Sequence, residues 1–362
     1  MKRRYLITGA QGLIGRYLTA RILEAEEDSA VLGVGRSTRI DGFFTHAFPV
    51  SGEQRRAPMP ADLLASFDER YWYRSLSLLE TGSLQDLIQD FQPDCIFHLA
   101  TALSSASERD LLETNVEGTA SLMNAMCDSQ AKTLLVVGSS GSVYGEASSL
   151  PISESHPCRP ADLYGVTKLT AEHVARVKAA RANVPFVIAR IFNVVGPGQA
   201  ESHVCGRFAA QLAAIAGSRR TLDVGPLGAT RDFIDARDVA AALFLLARRG
   251  ERSGTYNVAT GRETAIHFIL SELIRISALE TQVEIVRQSD RPTGVTRQVA
   301  DVSRLQRLGF VPRFSIEDSL RDLLRYHQEL RQPASSSTSS GSDSSGGLEG
   351  SKRRSAQVPR FA

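Results

Sequence analysis

Three side chains in the middle of the chain could move a proton together. Ser140 supplies a hydroxyl, Tyr164 a phenol and Lys168 an amine. Tyr164 and Lys168 are four residues apart, so on a helix they share one face. A free tyrosine has a pKa of about 10, but a neighbouring ammonium favours the phenolate and brings proton exchange towards neutral pH. The three residues therefore predict a proton relay in which Ser140 orients a substrate oxygen.

A glycine-rich turn near the start of the chain indicates what this relay works with. Gly9, Gly12 and Gly15 stand between a short apolar run at 5–7 and a stretch of helical periodicity at 13–25. The first glycine permits a tight turn, the second lets the backbone approach a pyrophosphate, and the third lets the helix pack on the sheet. The N-terminus of the helix offers free N–H groups to the phosphates. The predicted dinucleotide site also contains Gln11, Leu13 and Ile14.

The end of the second apolar run indicates which dinucleotide binds. The run at 30–34 is followed by Gly35, Arg36 and Ser37. An acidic residue at this place would bind a free ribose 2′-hydroxyl, whereas a guanidinium binds a phosphate. The sequence therefore predicts NADP(H), with NAD(H) as the alternative and Arg36 as the main determinant. A surface arginine without a ligand is the competing interpretation.

Short apolar runs alternate with amphipathic stretches along most of the chain, which is typical of an α/β fold. The alternation predicts a Rossmann-type doubly wound parallel sheet with a smaller α/β substrate-binding lobe. Residues 37–75 indicate only an insertion or long loop. Further strands are predicted at 95–100, 133–137, 186–189 and 255–258, and helices at 111–128, 164–181 and 238–249. The predicted domains are a dinucleotide-binding domain, 1–200 and 228–262; a substrate-binding lobe, 201–227 and 263–330; and a disordered Ser/Gly-rich tail, 331–362.

The composition of the chain argues against several classes of function. The formal net charge of +2 is too small to indicate a positively charged surface for nucleic acid. The cysteines form no CxxC pattern, so we expect neither a metal site nor a disulfide framework. The longest apolar stretch, 239–247, is too short to span a membrane. We therefore expect a cytoplasmic protein without a nucleic-acid or membrane partner.

The combined motifs resemble the extended short-chain dehydrogenase/reductase family over residues 5–328. Within that family, 188–199 and 224–239 are most similar to the GDP-4-keto-6-deoxy-mannose reductases. The resemblance implies NADPH-dependent reduction of the C4 ketone of a nucleotide-linked 4-keto-6-deoxyhexose, with Tyr164 giving the proton. It rests on the glycine turn and on residues 98–100, 115–119, 138–145, 163–168, 190–199, 231–235 and 291–292.

The resemblance also implies roles for residues outside the relay. The implied cofactor contacts are Ser77, which replaces the acidic residue that usually holds adenine, and Leu99, Ala100, Thr101, Asn115, Tyr164, Lys168 and Ile191. The implied substrate contacts are Ser142, Asn193, Arg231 and Arg291. Two guanidinium groups that converge on a diphosphate match its oxygens well. The family also implies a homodimer, formed through a four-helix bundle by the helices at 111–128 and 164–181.

Two other functions remain open at this point. A nucleotide-sugar 4-epimerase would use the same three residues with tightly bound NAD⁺, although Arg36 argues against it. A non-catalytic NADP-binding regulatory protein would need no relay, and the complete Ser140, Tyr164 and Lys168 set argues against that. Gly141 and Ser142 stand where sugar-nucleotide dehydratases of the family carry acidic residues, which argues against water elimination.

Overall fold

The computed structural model of the chain describes residues 2–38, 41–50, 53–128, 133–215, 221–279, 283–287 and 295–331. The strands are β1 Arg3–Thr8, β2 Ser29–Gly35, β3 Phe43–Val50, β4 Glu53–Pro58, β5 Tyr71–Ser75, β6 Cys95–His98, β7 Leu134–Ser140, β8 Phe186–Ile191, β9 Asn193–Val195, β10 Thr221–Val224, β11 Thr230–Asp235, β12 Gly254–Val258, β13 Glu263–Ala265 and β14 Glu284–Arg287. The helices are α1 Leu13–Ala25, α2 Ala61–Ala65, α3 Thr81–Phe91, α4 Glu108–Leu111, α5 Gly118–Asp128, α6 Leu163–Ala182, α7 Val204–Ala213, α8 Ala236–Arg249, α9 Ile266–Ser277, α10 Ser303–Arg307 and α11 Ile316–Glu329. A π-helical turn, Leu112–Glu117, joins α4 to α5, and a 3₁₀ turn, Gly141–Tyr144, follows β7.

Seven strands form one parallel sheet in the order β12-β8-β7-β6-β1-β2-β5. Their sequences are nearly continuous apolar runs because helices cover both faces of a parallel sheet; Leu6 and Ile7, for example, are 0% exposed. The predicted Rossmann-type doubly wound sheet is therefore confirmed. β1 lies between β2 and β6, where the winding changes direction, and folds of this kind bind ligands in the crevice at the carboxyl ends of those strands.

Helices on the two faces of the sheet hold the strand ends in place. On one face α1 and α8 pack together, with Leu18 and Leu243 fully buried. On the other face α3, α5 and α6 cover the sheet through Leu84, Leu122 and Ala175. Fully burying one such leucine contributes about 1.5–3 kcal/mol. The helices that follow the glycine turn and carry Tyr164 are thus fixed by extensive apolar packing.

Helix α6 begins one residue earlier and ends one residue later than the sequence predicts. Its first turn is capped by the Asp162 carboxylate, which accepts a hydrogen bond from the Gly165 backbone at 2.7 Å. The helix ends at Asn183, whose left-handed φ of 53° terminates the α-helical geometry. These caps place Tyr164 in the first turn and Lys168 in the second.

The single helix expected over 111–128 is interrupted. In the turn Leu112–Glu117 the Gly118 backbone N–H bonds to the carbonyl of Glu113, five residues back instead of four. Single π-helical turns of this kind occur often at functional sites. This one carries Asn115.

Residues 37–75 are more regular than the loop or insertion that the sequence indicates. β3 and β4 form an antiparallel hairpin, α2 follows it, and β5 is the edge strand of the central sheet. The hairpin buries Phe44 and Phe48 completely or nearly so. Phe48 packs edge-on against His327 of α11 at a centroid distance of 4.9 Å. Local sequence could not reveal this structure because the partner of the hairpin lies some 280 residues further along the chain.

A third apolar core gathers residues from the C-terminal half of the chain. Phe208 of α7, Leu222 of β10, Ile269 of α9 and Leu320 of α11 belong to it and are nearly inaccessible to solvent. The predicted division into two domains stays a prediction, and residues 332–362 of the predicted tail lie outside the described residues. Within the described ranges, no helix combines the length and the apolar character that crossing a membrane requires.

Candidate active site

The glycine turn has the geometry that the sequence predicts for Gly9 and Gly15. Gly9 adopts a φ of +69°, and a Cβ there would lie 2.7 Å from the Ala100 backbone nitrogen. A Cβ on Gly15 would lie 2.5 Å from the Gly9 carbonyl oxygen. At Gly12 the nearest atom would be that same oxygen, at 3.3 Å. Packing thus requires Gly9 and Gly15, whereas Gly12 leaves one side of the turn open for a ligand.

The N-terminus of α1 can receive an anion. Gly12 is its N-cap residue and provides no side-chain hydrogen bond, and the first turn, which starts with Leu13 and Ile14, contains no acidic residue. Backbone N–H groups and the positive end of the helix dipole are therefore available for phosphates. Gln11 is 2% exposed. These features fit the pyrophosphate of a dinucleotide.

Arg36 and Ser77 lie at adjacent strand ends. Arg36 follows β2 and is exposed, and the Leu76 backbone N–H donates to the Gly35 carbonyl at 2.9 Å. The Ser77 hydroxyl accepts a hydrogen bond from the Leu79 backbone at 3.3 Å. The exposed guanidinium at the end of β2 is in the place where a ribose 2′-phosphate would be bound.

The structure brings the three relay residues together. The Tyr164 phenol lies near the hydroxyls of Ser140 and Thr101, both of which act to lower its pKa. The Lys168 ammonium donates to the carbonyl of Gly138 at 2.6 Å, two residues before Ser140 at the end of β7. The Ser140 hydroxyl accepts from the Ser142 backbone at 3.1 Å and donates to the Ser142 hydroxyl at 3.2 Å.

The protonation of the relay differs from the sequence-based expectation. Burial raises the pKa of the Tyr164 phenol, and the neighbouring Ser140 and Thr101 hydroxyls only partly oppose this rise. The prediction that Lys168 shifts this phenol towards phenolate is therefore wrong for the chain by itself. Burial lowers the pKa of Lys168 to about 8, against the opposing effect of the Glu172 carboxylate. Near neutral pH the site thus holds a neutral phenol next to a largely charged ammonium.

Asn115 connects the loop after β6 to helix α6. Its amide oxygen accepts from the Ala102 backbone at 2.8 Å and from the Thr101 hydroxyl at 2.9 Å. Its amide nitrogen donates to the Ala102 carbonyl at 3.1 Å and to the Thr167 hydroxyl at 3.0 Å. These four bonds give Asn115 a positioning role, and its contact with the cofactor stays a prediction.

The floor of the crevice is built by His98 at the end of β6. Its ring nitrogens bond to the hydroxyls of Thr8 at 2.8 Å and Thr119 at 2.9 Å. Burial and then the Lys168 charge lower the pKa of His98 to about 3, so the ring is neutral. Leu99 and Ala100 follow directly, and the Ala100 backbone donates to the Thr8 hydroxyl at 3.2 Å. These residues lie at the carboxyl ends of β1 and β6, and the contact of Leu99 and Ala100 with a cofactor stays a prediction.

Asn193 and the turn that contains Ser142 meet at Gln298, a residue that the sequence did not single out. The Gln298 amide donates to the Gly141 carbonyl at 3.0 Å, beside Ser142, and accepts from Asn193 at 3.4 Å. Arg231 donates to the Val295 carbonyl at 2.8 Å. Ile191 ends β8 and pairs in register with Ser140. Arg291 lies outside the described residues.

The sequence-based predictions also did not include a buried ion pair that lies behind the relay. Glu172 and Arg190 are 1% and 5% exposed and are 2.8 Å apart. The sequence did contain a signal: Arg190 is a charged residue inside the apolar strand Phe186–Ile191, and a buried charge requires a partner. Among the described residues, no group of three or more His, Cys, Asp and Glu could hold a metal ion.

Comparison with known proteins agrees with this geometry. The chain matches the model of the NAD dependent epimerase/dehydratase family over residues 5–259 and therefore belongs to that family, the extended short-chain dehydrogenases/reductases. This confirms the resemblance drawn from the sequence. The protein is thus an NAD(P)-dependent oxidoreductase by class.

Relatives within the family have different activities. The chain is 30% identical over 334 residues to GDP-6-deoxy-D-mannose reductase of Pseudomonas aeruginosa, covering 90% of this chain and 97% of the relative. The structure of RMD from Pseudomonas aeruginosa complexed with NADPH superimposes with a TM-score of 0.74 at 28% identity, covering 91% and 99% of the two chains. UDP-glucuronic acid 4-epimerase from Bacillus cereus, solved with UDP-glucuronic acid and NAD, has a TM-score of 0.74 at 26% identity, covering 90% and 99%.

Proposed function

We propose that this protein uses NADPH to reduce the C4 ketone of a nucleotide-linked 4-keto-6-deoxyhexose. The observation that carries the proposal is the Tyr164 phenol beside the Ser140 hydroxyl, with Lys168 one helical turn away, at the switch point of the sheet. The reductase named above, which is 30% identical, and the neighbour solved with NADPH support the direction of the reaction and the cofactor.

The chain offers a complete set of groups for this cofactor. The open turn at Gly12 and the uncapped start of α1 would hold the pyrophosphate. Arg36 would bind the 2′-phosphate, and Lys168 would hydrogen-bond the nicotinamide ribose. When bound, the dinucleotide supplies the hydride that reduces the ketone carbon.

The protonation of the site fits reduction. A phenol with a raised pKa is protonated at neutral pH, so Tyr164 can donate its proton to the alkoxide that develops at C4. Ser140 hydrogen-bonds the same oxygen and orients it. The Lys168 ammonium then stabilises the phenolate that remains, because opposite charges attract strongly in a buried site. Each residue acts on the reacting oxygen or on the group next to it.

The nucleotide part of the substrate is proposed to bind on the other side of the 3₁₀ turn. Ser142 and Asn193 lie around Gln298 and would contact the sugar, while Arg231 would bind the diphosphate through its guanidinium. The choice of a GDP-sugar follows the 30% identical relative. These substrate contacts are proposals.

A substrate panel tests the function directly. The purified protein is mixed with NADPH and with 4-keto-6-deoxyhexoses linked to GDP, dTDP or UDP, and NADPH absorbance is followed. We expect consumption of NADPH with the GDP-linked ketone and loss of that activity in Tyr164→Phe. Consumption with the dTDP-linked ketone alone would contradict the choice of base but keep the reaction. No consumption with any of the three would reject the reductase.

A nucleotide-sugar 4-epimerase is the second candidate, since a 26% identical neighbour with this fold was solved with NAD and is such an enzyme. An epimerase returns the hydride to the sugar, so it keeps its cofactor tightly bound and consumes no NADPH. Co-purified NAD⁺ together with interconversion of 4-epimers would favour this reading. Arg36 at the end of β2 favours the reductase.

We also propose that the protein forms a homodimer through the π turn and α6. Large apolar side chains remain exposed there, with Leu112 at 47%, Val166 at 44% and Val177 at 51%. A dimer buries such positions, and grouped apolar exposure marks interaction sites. Sedimentation at micromolar concentration is expected to give a dimer, and Leu112→Glu combined with Val166→Glu a monomer. A monomeric parent protein would disprove the proposal.

A further inference from the structure

A buried ion pair lies directly behind the three relay residues. The Glu172 carboxylate accepts two hydrogen bonds from Arg190, from Nε at 2.9 Å and from the terminal nitrogen at 2.8 Å. It accepts a third from the Ser139 hydroxyl at 2.6 Å. Arg190 also donates to the Tyr144 hydroxyl at 3.0 Å. Bidentate arginine–carboxylate pairs are geometrically specific, so this pair can hold three elements, α6, β7 and β8, at fixed distances.

The pair is placed so that it supports all of the relay. Glu172 is one helical turn after Lys168 on the same face of α6. Gly138, Ser139 and Ser140 are successive residues at the end of β7: the first accepts from Lys168, the second donates to Glu172, and the third is the relay hydroxyl. Two adjacent hydrogen bonds thus fix α6 against the strand end from which Ser140 projects.

Two effects set the pKa of Lys168. Burial lowers it, and the charge of Glu172 raises it by a smaller amount. His98 of β6 faces Lys168 but is neutral, with a pKa of about 3. Burial opposes ionisation of Glu172, but the bonds from Arg190 overcome this and its pKa lies below the usual range. Arg176 of α6 stands 3.7 Å from the carboxylate.

We infer that Glu172 is a positioning residue of this active site: it fixes the end of β7 through Ser139 and Arg190, and its carboxylate keeps the neighbouring Lys168 charged while Tyr164 gives up its proton. This inference rests on the proposed function for its catalytic consequence. Its electrostatic part concerns the folded chain alone and can be measured without turnover.

The first measurement is the titration of Lys168 by NMR. The chain contains only five lysines, so labelled lysine gives a short list of signals, and the signal lost in Lys168→Met is that of Lys168. In the parent protein we expect a midpoint near 8. In Glu172→Gln, which keeps the shape of the side chain but removes its charge, we expect the midpoint to fall by about one pH unit. An unmoved midpoint in the folded variant would overturn the inference.

Two further variants distinguish the effect of the Glu172 charge from its effect on the position of β7. The second of them also guards against loss of folding. Ser139→Ala removes the hydrogen bond but keeps the charge, so we expect a lower kcat with an unmoved Lys168 midpoint. The double variant with Glu172→Gln and Arg190→Gln leaves no unpaired buried guanidinium, and a smaller downward shift is expected in it. The matched control is Glu272→Gln, which breaks a Glu–Arg pair with Arg275 in another helix and should leave the midpoint in place.

The second measurement is the pH profile of kcat/KM with the substrate that the panel identifies. Activity of the parent protein is expected to fall as the pH rises above about 8, because Lys168 then loses its charge. In Glu172→Gln this alkaline limb should move to lower pH, in step with the NMR midpoint. A limb that stays in place while the midpoint moves would refute the catalytic part. If the parent protein reduces no substrate at all, the proposed function fails while the NMR result still decides the electrostatic part.

Discussion

His98 lies behind the active site and His327 lies under the β3–β4 hairpin, and the two are 3% and 0% exposed. Both ring nitrogens of His98 are hydrogen-bonded, to Thr8 and Thr119. Neither ring nitrogen of His327 has a hydrogen-bond partner within the described part of the chain. Burial lowers the pKa of each ring to about 3. Both histidines are thus buried, but only the His98 ring is hydrogen-bonded through both of its nitrogens. The His327 ring under the hairpin has no such bonds within the described residues.

The neighbourhoods of the two histidines differ in the same way. Near the active site, Glu172 and Arg190 are hydrogen-bonded to each other, and the Asn257 amide donates to the Ile152 carbonyl. Under the hairpin, one side-chain oxygen each of Gln199 and Glu201 is buried without a hydrogen-bond partner in the described residues, although Glu201 forms an ion pair with Arg331 at 3.7 Å. A buried polar group that lacks a hydrogen bond costs about 1–3 kcal/mol. The comparison indicates that polar groups set the geometry around the relay, whereas apolar contacts hold the hairpin.

The largest expected effect is on kcat, and it should distinguish the loss of a hydroxyl in the active site from the loss of one in the hairpin region. Tyr164→Phe removes the proton donor, and kcat should fall by about 10²–10⁴-fold, with the protein folded and still binding NADPH. Tyr326→Phe removes the hydroxyl that donates to the Pro58 carbonyl in the hairpin region and should leave kcat unchanged. Steady-state kinetics of both variants make the comparison. Equal losses of activity would show that the two regions are not separate in function.

Replacement of each histidine by leucine tests the contrast in hydrogen bonding. His98→Leu leaves the Thr8 and Thr119 hydroxyls without this partner, so the free energy of unfolding should fall by about 2–3 kcal/mol. His327→Leu removes two unpaired nitrogens from an apolar site and should raise the free energy of unfolding by about 1 kcal/mol. Urea unfolding at neutral pH measures both. A loss of similar size in His327→Leu would mean that this ring is as well bonded as His98.

Acid should destabilise the protein through both histidines. A histidine that is neutral when folded, with a pKa of about 3, but charged when unfolded stabilises the fold fully only above its unfolded pKa of about 6.5. That stabilisation is lost as the pH falls from 6.5 towards 3, because the unfolded chain binds the extra proton. At pH 5 each histidine should account for a loss of about 2 kcal/mol. The measurement is urea unfolding between pH 7 and pH 5.

The leucine variants are the controls for this pH dependence. Each should show a shallower decline than the parent protein over the same range, since one of the two titrating groups is absent. A decline as steep as that of the parent in both variants would assign the acid sensitivity to other groups.

The smallest effect concerns the exposed rim of the cofactor crevice. Arg36→Ala should weaken NADPH binding by about tenfold, which corresponds to about 1.4 kcal/mol and to the loss of one charge-assisted contact. NADH binding should not change. Fluorescence titration with both cofactors measures this, and Arg74→Ala on the edge strand β5 is a matched exposed control. Unchanged NADPH affinity would remove Arg36 from the cofactor site.

The parts of the molecule that sequence predicts well are those that local pattern determines. The strand and helix around Gly9, Gly12 and Gly15 follow from apolar periodicity and glycine spacing, and the bounds of α1 are those predicted. The relay residues were found because Tyr164 and Lys168 have helical spacing. Their protonation was not, because burial outweighs the neighbouring groups and depends on the whole fold.

The parts that sequence reasoning missed depend on partners far away in the chain. The hairpin is ordered by contacts of Phe48 with α11, and its second strand, Glu53–Pro58, is mostly polar. Gln298 reaches Gly141 across 157 residues of sequence. The Glu172–Arg190 pair is an exception, because its members are only 18 residues apart. The charged residue inside an apolar strand could have been used to predict it.

The π-helical turn has one more consequence. It contains one residue more than an α-helix that would join α4 and α5 with the same alignment. Deleting a single residue between Leu112 and Glu117 would leave both flanking helices in their present register and carry Asn115 out of its place beside Thr101. In evolution, deletion of a residue at this turn would therefore free the loop after β6 from Asn115, and insertion of one would fix the loop again. The flanking helices would not have to change in either case.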